Sequence, residues 1–246
     1  MCTLTWISDP RGTRIYFNRD EQRTRLPASP PAPLVRNGVQ VLAPLDGNAG
    51  GTWLSVNERG LTIAILNFYE ADAARTAGPP HHRSRGQLVL DLADAETPTA
   101  MRERLALFSM NDFRPFIVVG IDAAGQGLEV RWDGHATAVR DLASIPLPIT
   151  TSSFRTPEVL AARRHQFETM KSTGPATDAM LRAFHRSRDP LGCPFSVTMT
   201  RPDAMTVSFS AVEVGTREIR FYYEPRAKNG ADPDYEAGTT AVMKRT

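Results

Sequence analysis

Cys2 is the residue whose type and position suggest chemistry most directly. A residue this small at position 2 permits removal of Met1, which would leave a cysteine that carries its own α-amino group. Because an α-amino group has a pKa of about 8, it can take the thiol proton, so nucleophile and base would belong to one residue. The position alone leaves a second interpretation open, in which Cys2 is a small apolar residue that begins a strand.

The chain after Cys2 is predicted to fold as a β-hairpin. Apolar residues alternate over 4–6 and 15–17, on either side of a turn at 8–12 that contains Pro and Gly. Antiparallel partners lie about 5 Å apart, so pairing across this turn brings Cys2 close to residues 18–20. The sequence therefore predicts a cluster of polar side chains beside the thiol.

Five further motifs follow Met1-Cys2 in the first third of the chain. They are Asn18-Arg19-Asp20-Glu21, Gly50-Gly51-Thr52-Trp53-Leu54, Asn57-Glu58-Arg59-Gly60, Asn67 and Ser84-Arg85-Gly86. Through these motifs, in this order, the chain resembles the NRDE family of Transport and Golgi organisation 2-like proteins. Weaker similarity continues through a hairpin at 201–203. The resemblance implies an α+β fold of the Ntn-hydrolase type, an αββα four-layer sandwich of two antiparallel sheets.

A more distant resemblance is to the cysteine Ntn-hydrolases, such as bile salt hydrolase and penicillin V acylase. It rests on the cysteine at the start, on an Arg near the end of the second strand, and on residues 56–61 leading into 66–68. This resemblance implies that Cys2 is the nucleophile and that Asn67 helps to form the oxyanion hole. A donor of this kind stabilises the transition state by about 3 to 4 kcal/mol.

The same resemblance implies roles for the other members of the site. Arg19 is expected to lower the pKa of the Cys2 thiol, and Asp20 to anchor the α-ammonium group or to orient Arg19. Asn18, Trp53 and Arg85, which belong to the same motifs, are expected to contact the substrate. No metal site is expected.

The chain departs from the acylases at three places. Their Asp stands two residues beyond the Asn that follows the Arg, whereas Asp20 follows the Arg directly. Their second Asn corresponds to residues 150–153, which contain no Asn, and their distal Arg corresponds to residues 192–194, which contain no Arg. Ser152 and Arg220 are the candidates to replace these two groups.

Three functions therefore remain open. The first is an amidohydrolase or acyltransferase that acts on a small linear amide through Cys2. The second is a non-catalytic protein that binds and carries haem, an acyl lipid or an acyl-CoA in the same cavity. The third is an interaction protein without a ligand. The expected partner is a small molecule, and no cofactor is required, although haem is a candidate ligand.

Histidines and basic helix faces offer other candidate sites. His81-His82 is a candidate haem-ligand pair, and eukaryotic NRDE relatives are linked to haem movement. Adjacent histidines point in different directions, whereas one ion needs convergent ligands, so a surface loop is the preferred interpretation. His165 and His185 are expected to be solvated or capping. Arg163 and Arg164 predict a basic helix face, which is either solvated or attracts an anion such as an acyl-CoA phosphate.

Turn residues divide the chain into hairpins and helices without regular βαβ alternation, which favours the α+β class. Paired strands are predicted over 52–57 and 61–67, 116–122 and 128–132, and 195–200 and 205–210, with another strand at 218–223. Helices are predicted after Thr97-Pro98 and Thr156-Pro157, and over 84–92 and 176–188. The prolines of residues 27–33 favour an extended surface segment. We expect one domain over residues 1–224 and a flexible tail over 225–246.

Composition excludes several classes of function. The 29 Lys and Arg and 27 Asp and Glu give a net charge of +2, which is too balanced for nucleic acid or an anionic membrane as the main partner. No apolar run is long enough to span a membrane, and no secretory signal is expected from the residues at the start of the sequence. Two cysteines provide no disulfide framework, so a reducing, cytoplasmic location is expected. Gly50-Gly51 lacks the Lys of a phosphate-binding loop and predicts a close backbone approach instead.

Overall fold

Turns between β-rich runs reverse the chain repeatedly, and the residues that the computed structural model describes form two antiparallel sheets. The described residues are 2–74, 83–172, 174–189, 193–227, 229 and 233–246. In spatial order, the first sheet contains β10 (Ile149–Thr151), β1 (Cys2–Asp9), β2 (Gly12–Gln22), β11 (Ala204–Val214), β12 (Glu218–Pro225) and β13 (Thr239–Lys244). The second sheet contains, in spatial order, β3 (Ser29–Arg36), β4 (Val39–Leu45), β5 (Leu54–Asn57), β6 (Thr62–Asn67), β7 (Phe116–Ile121), β8 (Gly127–Trp132) and β9 (Thr137–Asp141).

Helices cover the outer faces of both sheets. α2 (Arg85–Leu92) and α3 (Pro98–Leu105) pack on the second sheet, whereas α4 (Thr156–Lys171) and α5 (Asp178–Arg186) pack on the first. A short helix, α1 (Tyr69–Ala74), follows β6. The layers are therefore helix, sheet, sheet and helix, as the resemblance implied. None of the described helices combines the length and the apolarity needed to cross a membrane.

Strand β2 is buried on both of its faces because it lies in the interior of the first sheet. Successive side chains point to opposite faces, so Phe17 packs into the core between the sheets and Tyr16 packs with Phe167 and Phe184 under the helices. Burying each such side chain is worth about 1.5 to 3 kcal/mol. β2 is thus held from both sides, and this fixes the position of residues 18–20 in its second half.

Three of the predicted helix starts carry side-chain caps. Ser84, Thr97 and Thr177 each accept a hydrogen bond from a backbone amide in the first turn of α2, α3 and α5. α4 begins at Thr156, and its N-cap is Arg155, whose φ of 40° lies in the left-handed region. The starts predicted from Thr97-Pro98 and Thr156-Pro157 are therefore confirmed, with a shift of one residue in the cap of α4.

Residues 195–200 are not a strand, contrary to the prediction. β11 already pairs with β2 on one side and with β12 on the other, so only a single bridge joins Thr200 to Met205. The segment lies instead against the end of α5, where the Thr198 backbone amide donates to the Ser187 carbonyl at 2.8 Å.

The flexible tail predicted over residues 225–246 is wrong for its last part. Thr239–Lys244 forms β13, which pairs with β12 at the edge of the first sheet. An edge strand has a single neighbour, and Val242 is 55% exposed, so the segment lacks the alternation of a buried strand. The proline-rich residues 27–33 run into β3, the edge strand of the second sheet, which is a position that prolines tolerate.

Candidate active site

The β1–β2 hairpin places Cys2 beside Arg19, as the sequence predicted. Cys2 lies opposite Arg19 on β2 and opposite Thr151 on β10. Its backbone nitrogen donates a hydrogen bond to Thr151 Oγ1 at 3.2 Å. That nitrogen would become the α-amino group on removal of Met1, which lies outside the described residues, so Thr151 is placed to orient it.

A cavity of about 300 Å³ opens beside Cys2, between the ends of β2 and β6 and the start of α2. Of the seven site residues predicted from the sequence, six line it, namely Cys2, Arg19, Asp20, Trp53, Asn67 and Arg85. Asn18 is absent from the described lining. Asp46, Tyr69 and Arg114 also line the cavity and were not predicted. The chemical roles of these residues stay predictions.

Asn67 brings a side-chain amide to the cavity from the end of β6. Its Nδ2 donates a hydrogen bond to the Tyr69 hydroxyl at 2.7 Å. Because a side-chain amide nitrogen carries two hydrogens, the second N–H of Asn67 has no acceptor among the described residues. The only sequence signal for Tyr69 was its place two residues after Asn67.

The Arg19 guanidinium contacts the Trp53 ring and the Asp46 carboxylate. Its Cζ lies 3.9 Å from the centre of the Trp53 ring, and it donates a hydrogen bond to Asp46. Asp46 also accepts from Arg25 Nε at 2.7 Å and from the Ala49 amide at 2.8 Å. Burial alone would raise the pKa of the Asp46 carboxyl, but the hydrogen bonds from Arg25, Ala49 and Arg19 hold it well below its usual range.

The Cys2 thiol is harder to ionise than the resemblance implied. Burial raises its pKa above the ordinary value, and the charge of Asp20 adds to this shift. Arg19 lowers the pKa, as expected, but burial outweighs it. The charge of Arg19 is compensated by Asp46, which limits how far Arg19 lowers the pKa of the Cys2 thiol.

Removing the partner of Arg19 should therefore activate the thiol. In Asp46→Asn, the Arg19 guanidinium keeps its charge but loses the nearer of its two carboxylates, with Glu21 remaining at 3.7 Å, so we expect alkylation of Cys2 below its pH midpoint to be roughly three- to tenfold faster. The measurement is iodoacetamide labelling across a pH series, followed by mass spectrometry. Asp91→Asn, which removes the exposed partner of Arg83, is the matched control. An unchanged midpoint in Asp46→Asn would contradict this role of Asp46.

Asn18 lies on the opposite face of β2, because neighbouring side chains in a strand alternate. Its Nδ2 donates to the His185 carbonyl at 2.7 Å, and its Oδ1 lies 3.0 Å from His185 Nδ1. His185 Nε2 lies 2.8 Å from Thr5 Oγ1. Two expectations are therefore wrong: Asn18 does not contact the cavity, and His185 is neither solvated nor a cap. Burial, with a contribution from Arg163, lowers the pKa of His185 to about 3.

Asp20 turns its carboxylate toward the same helix-covered face. The carboxylate accepts from Thr206 Oγ1 at 2.6 Å and from Arg163 Nη2 at 3.3 Å. Arg163 is fully buried in α4, so its expected place on a solvated basic face is wrong. It occurs three residues after Leu160 and four before Phe167, both apolar and buried, and this spacing was the available signal. Arg19 takes its orientation from Asp46 rather than from the Asp20 side chain.

Arg85 reaches the cavity from the first turn of α2. Its Nη1 donates to the Pro115 carbonyl at 2.9 Å, and burial lowers its pKa. The backbone beside it is packed too closely for a side chain, since a Cβ on Gly51 would lie 2.4 Å from the carbonyl carbon of Gly86. The close backbone approach predicted for Gly50-Gly51 is therefore confirmed. It fixes the start of α2 against the chain that leads through Trp53 into β5.

Neither Ser152 nor Arg220 lines the described cavity. The Ser152 hydroxyl is hydrogen-bonded to the backbone two residues later. Arg220 pairs with Glu218 on β12. Followed across the sheet through β11 and β2, the register of Arg220 is the same as that of Ile7 on β1. At about 3.3 Å per residue, that register is about 17 Å from Cys2, so Arg220 does not replace the distal Arg of the acylases.

The histidine pair at 81–82 lies outside the described residues. Within the described ranges, no three His, Cys, Asp or Glu side chains are grouped so that they would hold a metal ion. Both cysteines, Cys2 and Cys193, are free thiols.

Comparison of the sequence with family models gives one match. The model described as Transport and Golgi organisation 2 matches residues 1–157. No curated protein matches the chain in sequence.

Two solved structures with a similar architecture are described as hydrolases. A variant of the conjugated bile acid hydrolase from Clostridium perfringens is 12% identical, with a TM-score of 0.59, and the alignment covers 100% of this chain and 97% of that one. The Caenorhabditis elegans N-acylethanolamine-hydrolyzing acid amidase orthologue is 11% identical, with a TM-score of 0.57, covering 87% of this chain and 93% of that one. At these identities the likeness shows the fold, which is the Ntn-hydrolase sandwich.

Proposed function

Because this chain belongs to the Transport and Golgi organisation 2 family and has the Ntn-hydrolase fold, we propose that it is an N-terminal-cysteine amidohydrolase or acyltransferase. Its substrate is a small linear amide. One observation carries this proposal: the cavity brings the Cys2 thiol and the Asn67 amide together, and Thr151 Oγ1 accepts a hydrogen bond from the Cys2 nitrogen. The two structural neighbours are named for hydrolysis of a conjugated bile acid and of N-acylethanolamines.

The proposed reaction begins after removal of Met1. The α-amino group of Cys2 takes the thiol proton while the sulfur attacks the amide carbonyl carbon. Asn67 donates its second N–H to the oxyanion that forms. The C–N bond then breaks, the proton passes from the α-ammonium group to the leaving amine, and a thioester remains on Cys2. Water, activated by the same amine, hydrolyses the thioester to a carboxylic acid and restores the thiol.

Each step in this scheme uses groups of the chain itself, so we propose that no cofactor is required. Transfer to a second amine in place of water gives the acyltransferase reaction. A reducing compartment such as the cytoplasm is part of the proposal, because it keeps a buried nucleophilic thiol reduced.

The experiment that tests the function is a screen of N-acyl amides of varied acyl length, with release of the free amine as the readout. We expect amine release by the wild-type protein and, with added hydroxylamine, formation of a hydroxamate from the thioester. Absence of release from every amide, by protein shown to lack Met1, would refute the proposal. The carrier function would then be tested by the Soret absorption of added haem and by retention of an acyl-CoA.

Substitution of Asn67 tests the oxyanion donor separately. Asn67→Ala is expected to lower kcat about 10²- to 10³-fold, with little change in KM, because the donor acts mainly on the transition state. Tyr69→Phe is the matched control: it removes the hydroxyl that accepts from Asn67 but keeps both amide hydrogens, so a loss below about tenfold is expected. Equal effects of the two substitutions on kcat would contradict the role of Asn67.

A further inference from the structure

Most charged side chains of the cavity already have a partner of opposite charge. Arg19 and Arg25 are paired with Asp46 and Glu21 in one cluster, within 3.7 Å in each pair. These four charges cancel. A ligand that bound there would have to break existing ion pairs.

Two other charged residues of the cavity, Arg114 and Asp20, are each paired with a residue outside this cluster. Arg114 Nη2 lies 2.7 Å from Asp72 Oδ2, and Asp20 Oδ2 lies 3.3 Å from Arg163 Nη2. Each of these pairs is also neutral as a unit. They therefore give the cavity shape and polarity without net charge.

Arg85 is different from every other charged residue of the cavity. Within the described residues, its guanidinium has the Pro115 carbonyl as hydrogen-bond acceptor, and no carboxylate lies within ion-pair distance. The adjacent segment 75–82 contains no Asp or Glu. A guanidinium has five N–H donors, and most of those of Arg85 have no acceptor in the part of the chain that the structure describes. Burial lowers the pKa of Arg85; the charges of Tyr69 and Asp72 oppose this shift, and the charge of Arg114 adds to it.

A half-buried cation without a carboxylate is costly, and an anion that arrives beside it is strongly favoured. Arg85 shares its cavity with Cys2 and Asn67. Its place is fixed, because Gly51 and Gly86 hold the start of α2 against the neighbouring strand. A substrate whose amide reaches Cys2 therefore lies in the same cavity as the Arg85 guanidinium, which has no carboxylate partner among the described residues.

We propose that the amide substrate carries a carboxylate and that Arg85 binds this group while the amide carbonyl lies between Cys2 and Asn67. This inference rests on the proposed function and narrows its substrate class to amides of the N-acyl amino acid kind. Arg85 selects the substrate. It takes no part in proton transfer.

The test compares two probes of nearly equal size, an N-acylglycine and the corresponding N-acylpropylamine, which lacks the carboxylate. For the wild-type protein, we expect kcat/KM to favour the acid by about tenfold or more. Arg85→Gln should abolish this preference, mainly through KM. Arg83→Gln is the matched control, since Arg83 lies outside the cavity lining and is paired with Asp91. A neutral amide hydrolysed as well as the acid would overturn the inference and leave the proposed function standing.

Binding without turnover separates the two claims. In a Cys2→Ala background, the N-acylglycine should raise the melting temperature and the N-acylpropylamine should not, because only a bound ligand stabilises the fold. Adding Arg85→Gln should remove this shift. A shift by the acid that depends on Arg85, together with absence of turnover by the wild type, would support the anion site and refute hydrolysis. Equal shifts by both probes would overturn the anion site.

Discussion

Cys2→Ala is expected to lower the turnover of amides at least about 10³-fold, because it removes the atom to which the acyl group is transferred. The fold should survive. Cys2 is the first residue of β1 and alanine fits the same space, so we expect a melting temperature close to that of the wild type. The measurement is amine release under single-turnover and steady-state conditions, with circular dichroism as the check on folding.

Cys193→Ala is the control for this loss. Cys193 is the second free thiol of the chain and accepts a hydrogen bond from the Phe195 amide at 3.3 Å, but it does not line the described cavity. Its removal should leave turnover unchanged. Full activity of Cys2→Ala, or loss of activity in Cys193→Ala alone, would show that the nucleophile has been misassigned.

Arg163→Met is expected to destabilise the protein by about 3 to 5 kcal/mol, because it leaves the carboxylate of Asp20 buried without its cation. Both side chains are 0% exposed. Arg163 also donates to Thr3 Oγ1 at 3.0 Å and to Thr150 Oγ1 at 3.1 Å. It therefore ties α4 to β1 and β10, the two strands that hold Cys2 and Thr151. The free energy of unfolding in urea measures the loss.

The next residue of the same helix supplies the control for Arg163. Arg164 is exposed, so Arg164→Met should change the free energy of unfolding by less than about 0.5 kcal/mol. Asp20→Asn combined with Arg163→Met should recover part of the loss, since no uncompensated charge remains. A loss in Arg163→Met no larger than that in Arg164→Met would contradict the account of this ion pair.

The parts of the site that the sequence predicted are local in the chain. The β1–β2 hairpin follows from alternating apolar residues and a short turn, and its register alone brings Arg19 to Cys2. Asn67 is the last residue of β6, which is joined to its partner strand β5 by an equally short turn. The starts of α2 and α3 follow from capping residues next to the helices that they begin. In each case the interacting residues are close in sequence.

The parts that were missed depend on contacts between distant segments. Asp46 meets Arg19 across 27 residues, and Arg163 meets Asp20 across 143. A sequence pattern shows that Arg163 lies on an apolar face, but it does not show which carboxylate compensates it. Asn18 was misplaced because it was grouped with its motif neighbours, although strand alternation puts its side chain on the face opposite to that of Arg19. The strand β13 was missed because it has a single neighbouring strand and an exposed face, so its sequence shows little apolar alternation.

The most direct test of the central claim is intact-mass spectrometry of the purified protein after brief exposure to a p-nitrophenyl acyl ester, followed by peptide mapping. We expect a chain that lacks Met1 and carries one acyl group on Cys2, and no acyl group in Cys2→Ala. Retention of Met1 by a protein that hydrolyses amides, or an acyl group attached elsewhere, would contradict the assignment of Cys2 as an N-terminal nucleophile.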